Sequence, residues 1–194
     1  MPTLIRLAVP SDGPALADIY RPAVTDAATS FELEPPDGAT MTQRVAHIME
    51  RTPWLVFERD DIVLGYAYAG IHRERPAYQW SVEVSAYVHR DAHRLGVARA
   101  LYNSLFAALV VQGFCNAYAG ITLPNAASVG FHTAMGFTPV GVYRGIGYKH
   151  GMWHDVAWFE RTLAPRDPAP TSPRPLRECM ADPALNAAIS NLWT

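Results

Sequence analysis

Cysteine is scarce in this sequence, with two residues among 194. Cys115 lies in an apolar stretch and Cys179 in a proline-rich one. Two cysteines are too few for a framework of several disulfides or for a four-cysteine zinc site. Because free thiols suit a reducing compartment, we expect the protein to be cytoplasmic.

Charge is also scarce, since charged residues make up 18% of the chain and the formal net charge is -2. No long basic run is present, so we expect neither nucleic acid nor a membrane surface as a partner. No window approaches the roughly 20 apolar residues of a membrane span, and the first residues lack the basic and apolar regions of a signal peptide. The chain is therefore predicted to be soluble and unprocessed, with small molecules as its partners.

Two nucleotide-binding motifs are missing, GxxxxGK[ST] and GxGxxG. Their absence disfavours nucleotide hydrolysis and dinucleotide binding. What is present is a globular composition, with 49% hydrophobic and 11% aromatic residues. The length favours one well-buried domain.

The apolar residues alternate in some segments and recur at helical spacing in others, which predicts a mixed α/β fold. Helices are expected at 12–20 after an N-cap at Ser11, at 41–51, at 97–112, and after an N-cap at Asn125. Strands are predicted at 3–8, 54–58, 62–70, 82–88, 114–122, 138–143 and 156–163.

Prolines accumulate from residue 164 onward, which disfavours regular structure. We therefore expect one domain over residues 1–163 and a tail over 164–194. A short helix at 184–193 could place its apolar residues on this molecule or on a partner, and the sequence leaves both possibilities open.

Three features could carry chemistry. The loop 93–98, with Gly96, precedes the long helix, where backbone N–H groups and the helix dipole favour a phosphate; a plain structural turn would use the glycine equally well. Glu83 interrupts an apolar strand, and His132 lies about two turns into the helix after Asn125. An exposed glutamate and a structural histidine are the ordinary interpretations, whereas in a cleft both side chains could transfer protons.

Two histidine pairs have a spacing of four residues, His89 with His93 and His150 with His154. Both pairs are in segments predicted to be loops, and neither has an obvious third ligand. We therefore expect no metal site.

Taken together, the strand with Glu83, the loop 93–98 and the helix after Asn125 resemble the GNAT acetyltransferase superfamily. Its loop signature, Arg/Gln-x-x-Gly-x-Gly/Ala, is matched at Gly96 and Ala98 but not at His93. Over residues 5–163 the chain is similar to the phosphinothricin and methionine sulfoximine N-acetyltransferases. The similar stretches are Thr-Pro-Trp-Leu-Val at 52–56, Gly-Tyr-Ala-Tyr-Ala-Gly at 65–70, Ala-Tyr-Gln-Trp at 77–80, Leu-Pro-Asn at 123–125 and Gly-Tyr-Lys-His-Gly-Met-Trp-His-Asp at 147–155.

This resemblance implies the GNAT fold, a central mixed and mostly antiparallel sheet flanked by helices. It implies acetyl transfer from acetyl-CoA, without a metal, to the amino group of a small amino-acid-like acceptor. Glu83 and His132 would be the catalytic residues, with His132 either sharing the role of base or protonating the departing thiolate. Acetyl-CoA would be bound by Ala86, Tyr87, Val88, His93, Arg94, Leu95, Gly96, Val97, Ala98 and Asn125.

The resemblance also implies which residues bind the acceptor, in an arrangement where two guanidinium groups could hold a carboxylate or a phosphinate. A homodimer is expected, to whose interface the tail residues Leu185, Ile189, Leu192 and Trp193 could add. Acetyl transfer to peptide N-termini or to another metabolite amine stays an alternative, as does a non-catalytic acyl-CoA sensor. The predicted acceptor-binding residues are Phe31, Arg73, Arg75, Tyr78, Val82 and Val84.

Overall fold

The computed structural model describes residues 3–190 as a mixed α/β fold. Short 3-10 turns at Pro10–Asp12, Pro76–Tyr78 and Arg90–Ala92 connect the longer elements. The strands are β1 Thr3–Leu7, β2 Trp54–Arg59, β3 Ile62–Ile71, β4 Ser81–Val88, β5 Asn116–Leu123, β6 Thr138–Lys149 and β7 Met152–Thr162. The helices are α1 Gly13–Thr25, α2 Gly38–Met49, α3 Val97–Gln112, α4 Ala126–Ala134, α5 Leu176–Cys179 and α6 Pro183–Ser190.

The strands form one seven-stranded sheet in the order β1-β2-β3-β4-β5-β7-β6. Every neighbouring pair is antiparallel except β4 and β5, which run parallel. The predicted fold class, a mostly antiparallel mixed sheet flanked by helices, is confirmed. Where β2 meets β3, Asp60 and Asp61 adopt positive φ, as tight hairpin turns require.

Both faces of the sheet are covered, which explains the mixed pattern of β4. Val82 and Val84 point into a core with α3, whereas Tyr87 on the opposite face packs against a second core beneath α1 and α2. The ring of Tyr87 lies 4.8 Å from that of Tyr20, edge to face. The strand therefore packs against a core on each face, and its polar residues Glu83 and Ser85 share the face of Tyr87.

The hairpin of β6 and β7 is much longer than predicted. The sequence indicated strands at 138–143 and 156–163, but pairing continues through Tyr148 and Trp153, whose rings lie 5.3 Å apart. Asp155 accepts hydrogen bonds from the Gly145 N–H and the Arg144 guanidinium, which stabilises the irregular part of the ladder. The prediction that His154 lies in a loop is therefore wrong, because it belongs to β7.

The first two helices also differ from their predicted bounds. Ser11 lies inside a 3-10 turn rather than at an N-cap, and α1 extends to Thr25 with Pro14 in its first turn, where proline is tolerated. Helix α2 begins three residues earlier than predicted because Asp37 caps it, accepting the Thr40 N–H at 2.7 Å.

The proline-rich tail returns to the body of the molecule. Leu185 is fully buried and Ile189 nearly so, both in the same apolar cluster as α3. Gln112 at the end of α3 donates to the carbonyls of Arg51 and Arg174, and Ser104 donates to that of Ile189. The expectation that Leu185 and Ile189 are available to a dimer interface is therefore wrong. Leu192 and Trp193 lie outside the described residues.

Candidate active site

The parallel ladder between β4 and β5 is short, and this opens the sheet. Its three residue pairs end at Glu83 and Tyr118, although β4 continues to Val88 and β5 to Leu123. Beyond Glu83 a cavity of about 70 Å³ lies between the strands, lined by residues 84–87 and 119–122. Backbone groups at this opening lack a neighbouring strand, so they are available to a ligand.

A larger cleft of about 490 Å³ continues from this opening toward the start of α3. Residues 86–87 and His132 line both spaces, which makes them one continuous site. The sequence predicted ten acetyl-CoA contacts, and the structure brings six of them to this cleft. These six are Ala86, Tyr87, Val88, His93, Ala98 and Asn125.

The other four predicted contacts form the turn into α3. Gly96 has a φ of 84°, a left-handed conformation that favours glycine, and it directly precedes the helix. The Val97 side chain is buried in the core, so only its backbone can serve a ligand, while Arg94 and Leu95 are exposed. The first N–H groups of a helix have no partner within it, and they supply anion-binding donors beside Ala98.

His132 is buried at the polar end of the opening, with 8% of its surface exposed. Its Nδ1–H donates to the Ser128 carbonyl at 2.8 Å, so the Tyr102 hydroxyl, 3.1 Å from Nε2, donates to the remaining lone pair. Burial lowers the pKa of His132, partly opposed by the bond to Ser128, and burial raises the pKa of Tyr102. Both side chains are therefore neutral near pH 7.

Glu83 lies where the ladder ends, with its side chain partly exposed. Its Oε1 lies 2.9 Å from His72 Nδ1 and 3.3 Å from an Arg73 nitrogen. The His72 ring stacks on Tyr118 at 4.5 Å, with an interplanar angle of 16°. The cavities that His132 lines do not include Glu83 among their lining residues, so a cleft shared by the two stays a prediction.

The residues predicted to bind the acceptor are divided among three places. Arg73, Arg75 and Val82 line a separate cavity of about 240 Å³, and Tyr78 lies near it with its ring 6.1 Å from that of His72. Val84 lines the opening between the strands, and its side chain is buried.

Phe31 lies apart from the arginines, over the long hairpin. Its ring occupies the space beside Gly147 so closely that a Cβ there would clash with the ring, and it lies 6.1 Å from the ring of His154. Phe31 therefore holds the loop before α2 against β6.

Comparison with known proteins identifies the architecture. The family model for the acetyltransferase (GNAT) domain matches residues 5–158. The phosphinothricin N-acetyltransferase of Streptomyces viridochromogenes is 39% identical over 176 residues, covering 91% of this chain and 94% of that protein. The L-methionine sulfoximine/L-methionine sulfone acetyltransferase of Salmonella typhimurium is 32% identical over 163 residues, covering 82% and 94%.

A solved structure has the same fold. The GNAT superfamily phosphinothricin acetyltransferase of Sinorhizobium meliloti, crystallised with AcCoA, superimposes with a TM-score of 0.83 at 33% identity, covering 88% of this chain and 94% of that one. This chain belongs to the GNAT acetyltransferase family. It is an acetyltransferase, as the sequence resemblance implied.

Sequence reasoning missed two residues that contact the candidate catalytic side chains, His72 beside Glu83 and Tyr102 beside His132. His72 follows β3 by one residue, and the pairing of Gly70 with Glu83 brings it to the carboxylate. Only the strand register could have revealed that contact. Tyr102 carries the helical spacing of a core residue, which it also is, and so its hydroxyl gave no separate signal.

The four histidines of the spaced pairs all have protein partners. His93 Nε2–H donates to the Val88 carbonyl and His154 Nε2–H to the Lys149 carbonyl, each at 3.0 Å, while His89 Nδ1 accepts the Asp91 N–H. His150 lies 3.4 Å from the Ala27 carbonyl. Within residues 3–190, no group of three or more metal-ligating side chains is arranged around a common point, and no helix is long and apolar enough to cross a membrane.

The burial of His132 predicts a dependence of stability on pH. Because its pKa is lowered in the folded chain, the unfolded chain binds this proton at a higher pH. The folded state should therefore lose stability as the pH falls below the ordinary histidine range near 6.5. Urea unfolding of wild type and His132→Gln from pH 8 to 5 measures the effect, since the other titrating groups cancel in the difference. We expect wild type to lose its advantage over the variant as the pH falls; a constant difference would contradict the buried neutral state.

Proposed function

We propose that this enzyme transfers the acetyl group of acetyl-CoA to the amino group of a small amino-acid-like acceptor such as phosphinothricin or methionine sulfoximine. The observation that carries the proposal is the opening of the sheet beyond Glu83, continuous with the cleft at the start of α3. The names and the acetyl-CoA complex of the relatives support it.

The residues of the cleft fit an acyl-CoA molecule. The N–H groups at the start of α3 suit a pyrophosphate, because Gly96 lets the backbone approach closely and the helix dipole favours negative charge. The part of β4 over Ala86–Val88 has no β5 partner and offers N–H and C=O groups that an amide-containing arm can bind, although the Val88 carbonyl already accepts from His93 Nε2–H. When bound there, acetyl-CoA supplies the activated acetyl group.

Glu83 is the proposed general base. An acceptor arrives as an ammonium ion and must lose a proton before its nitrogen can attack the thioester carbonyl. Within the described residues Glu83 Oε1 has two hydrogen-bond donors and Oε2 has none, so Oε2 is the oxygen that can take the proton. The C–N bond then forms, the nitrogen releases its second proton, and the C–S bond breaks, so that CoA leaves as a thiolate that takes up a proton from solvent.

The surroundings of His132 favour one of its two candidate roles. Because burial lowers the pKa of His132, its imidazole is neutral at pH 7 and has no imidazolium proton to give to a thiolate, whereas its unprotonated Nε2 can accept one. The Nδ1–H is committed to the Ser128 carbonyl, so His132 would accept a proton at Nε2, the atom to which the Tyr102 hydroxyl donates. We therefore assign His132 a share in proton removal rather than protonation of the departing thiolate.

Arg75 is the proposed anchor for an anionic group of the acceptor. Arg73 is partly engaged, because it donates to Glu83 and to the His72 carbonyl. Arg75 is exposed and lines the cavity beside Arg73 and Val82. A guanidinium in this position could hold a carboxylate or a phosphinate with two parallel hydrogen bonds.

An acceptor screen tests the proposal. Release of free CoA from acetyl-CoA should accompany addition of phosphinothricin or methionine sulfoximine and be absent with a peptide that has a free N-terminus. In Glu83→Gln, which keeps the shape but removes the basicity, turnover should fall about 100-fold or more with little change in acetyl-CoA affinity.

The control for this assay is Glu50→Gln, an exposed glutamate after α2 whose change should leave turnover unaltered. Release of CoA with the peptide alone would favour the alternative acceptor class. Near wild-type turnover of Glu83→Gln would remove Glu83 from the mechanism.

We also propose a cytoplasmic location, which is consistent with the free thiols of Cys115 and Cys179.

A homodimer that is joined along β6 is proposed as well. Strand β6 forms one of the two edges of the sheet, and an edge with exposed apolar side chains favours a further protein contact. Exposed apolar residues along this hairpin are Val140, Val142, Tyr143, Ile146, Tyr148, Met152 and Trp153.

Light scattering at micromolar concentration tests the assembly. Wild type should have the mass of two chains, and Ile146→Glu should shift it toward one by placing a charge in the buried interface. The matched variant Ile62→Glu changes an equally exposed isoleucine on β3 and should leave the mass unchanged. A monomeric mass of wild type would reject the homodimer.

A further inference from the structure

The two oxygens of Glu83 have different surroundings. Oε1 is close to two donors, His72 Nδ1 at 2.9 Å and an Arg73 nitrogen at 3.3 Å, whereas no described residue bonds to Oε2. An ionised carboxylate can only accept hydrogen bonds. His72 must therefore carry its proton on Nδ1 when it bonds to Glu83, and the carboxylate is fixed by one oxygen alone.

His72 is itself held rigidly by aromatic rings. Its side chain is 15% exposed, and its ring stacks on Tyr118 of β5. The rings of Tyr78 and Trp158 approach it edge to face, each at 6.1 Å. An imidazole held on three sides keeps its Nδ1–H aimed in one direction.

Arg73 is the weaker of the two partners. Its side chain is 48% exposed and its contact with Oε1 is longer, so solvent screens it and the long side chain loses entropy when it is held there. His72 therefore determines the orientation of the carboxylate more strongly than Arg73 does.

We propose that His72 is a positioning residue for Glu83, an inference that rests on the acetyl transfer proposed above. His72 donates Nδ1–H to Oε1, which leaves the lone pairs of Oε2 directed at the acceptor amine. The hydrogen bond also stabilises the ionised carboxylate, the form that can accept a proton. Tyr118 supplies the surface on which the imidazole is fixed.

Several titratable groups surround this pair and bear on its pH dependence. Arg73 adds positive charge from the same loop, and Tyr78 lies at the edge of the imidazole. On β5, burial together with Glu160 of β7 raises the pKa of Tyr118, so its hydroxyl stays neutral through the neutral range.

Two substitutions at one position separate the hydrogen bond from the packing. His72→Phe keeps a ring to stack on Tyr118 but removes the donor, and we expect kcat to fall about tenfold with the KM for acetyl-CoA unchanged. The acidic limb of its kcat/KM profile should move to higher pH, because a carboxylate that loses a donor is protonated more easily. His72→Asn keeps an N–H donor near the position of Nδ1 and should recover most of the rate.

The outcomes that would overturn the proposal are equally specific. Wild-type rates in His72→Phe would show that the bond does not matter. Rates as low in His72→Asn as in His72→Phe, with an unmoved pH profile, would make the role one of packing alone. Because His72 acts through Glu83, adding His72→Phe to Glu83→Gln should slow turnover less than about twofold further; an undiminished tenfold effect would contradict the inference.

An NMR measurement tests the inference independently of activity. The ¹⁵N shifts of the His72 ring at pH 8 should identify the Nδ1–H tautomer in wild type, and Glu83→Ala should reduce the population of that tautomer. A wild-type Nε2–H tautomer would overturn the proposal even if acetyl transfer is confirmed. The expected tautomer, in an enzyme that acetylates no tested acceptor, would instead count against the proposed function and leave the His72–Glu83 bond standing.

Discussion

Three residue pairs join β4 to β5, and the candidate active site opens where the ladder stops. Antiparallel ladders of seven pairs with β3 and eight pairs with β7 hold the two strands from their outer sides. The sheet can therefore open locally without losing its order. Backbone groups that would ordinarily pair across the opening are left for a ligand, although the Val88 carbonyl already accepts from His93 Nε2–H.

The end of the ladder also locates the proposed general base. Glu83 belongs to the last pair, so its carboxylate lies where the sheet begins to open, and Tyr118 opposite it supports His72. His132 approaches the opening from α4, where it meets Tyr102 of α3. Elements that are distant in sequence thus contribute a fixed carboxylate on one side and a buried neutral imidazole on the other.

Those parts of the fold that depend on local pattern were predictable from the sequence. Helix α3 has its predicted bounds because apolar residues recur at helical spacing and Gly113 ends it in the left-handed conformation. Asn125 caps α4 as expected, accepting the Ser128 N–H. The loop at Gly96 and the candidates Glu83 and His132 were found from the same patterns together with the family resemblance.

Features that depend on tertiary contacts were not predictable in this way. The bond between His72 and Glu83 depends on the register of β3 against β4. The long hairpin depends on cross-strand pairing through a glycine-rich segment whose sequence does not have the alternating pattern of a strand. The tail helix was predicted, but its docking against α3 was left open, because an apolar face does not say what covers it.

A crystal structure of the enzyme with CoA and a slowly reacting acceptor analogue would test the central claim most directly, since it locates both substrates relative to the opening. The account predicts the CoA pyrophosphate at the N–H groups that begin α3, and the acceptor nitrogen in hydrogen-bond contact with Glu83 Oε2 or joined to it by one water. An acceptor nitrogen bound at His132 Nε2 with Glu83 facing solvent, or CoA bound away from the opening between β4 and β5, would contradict it.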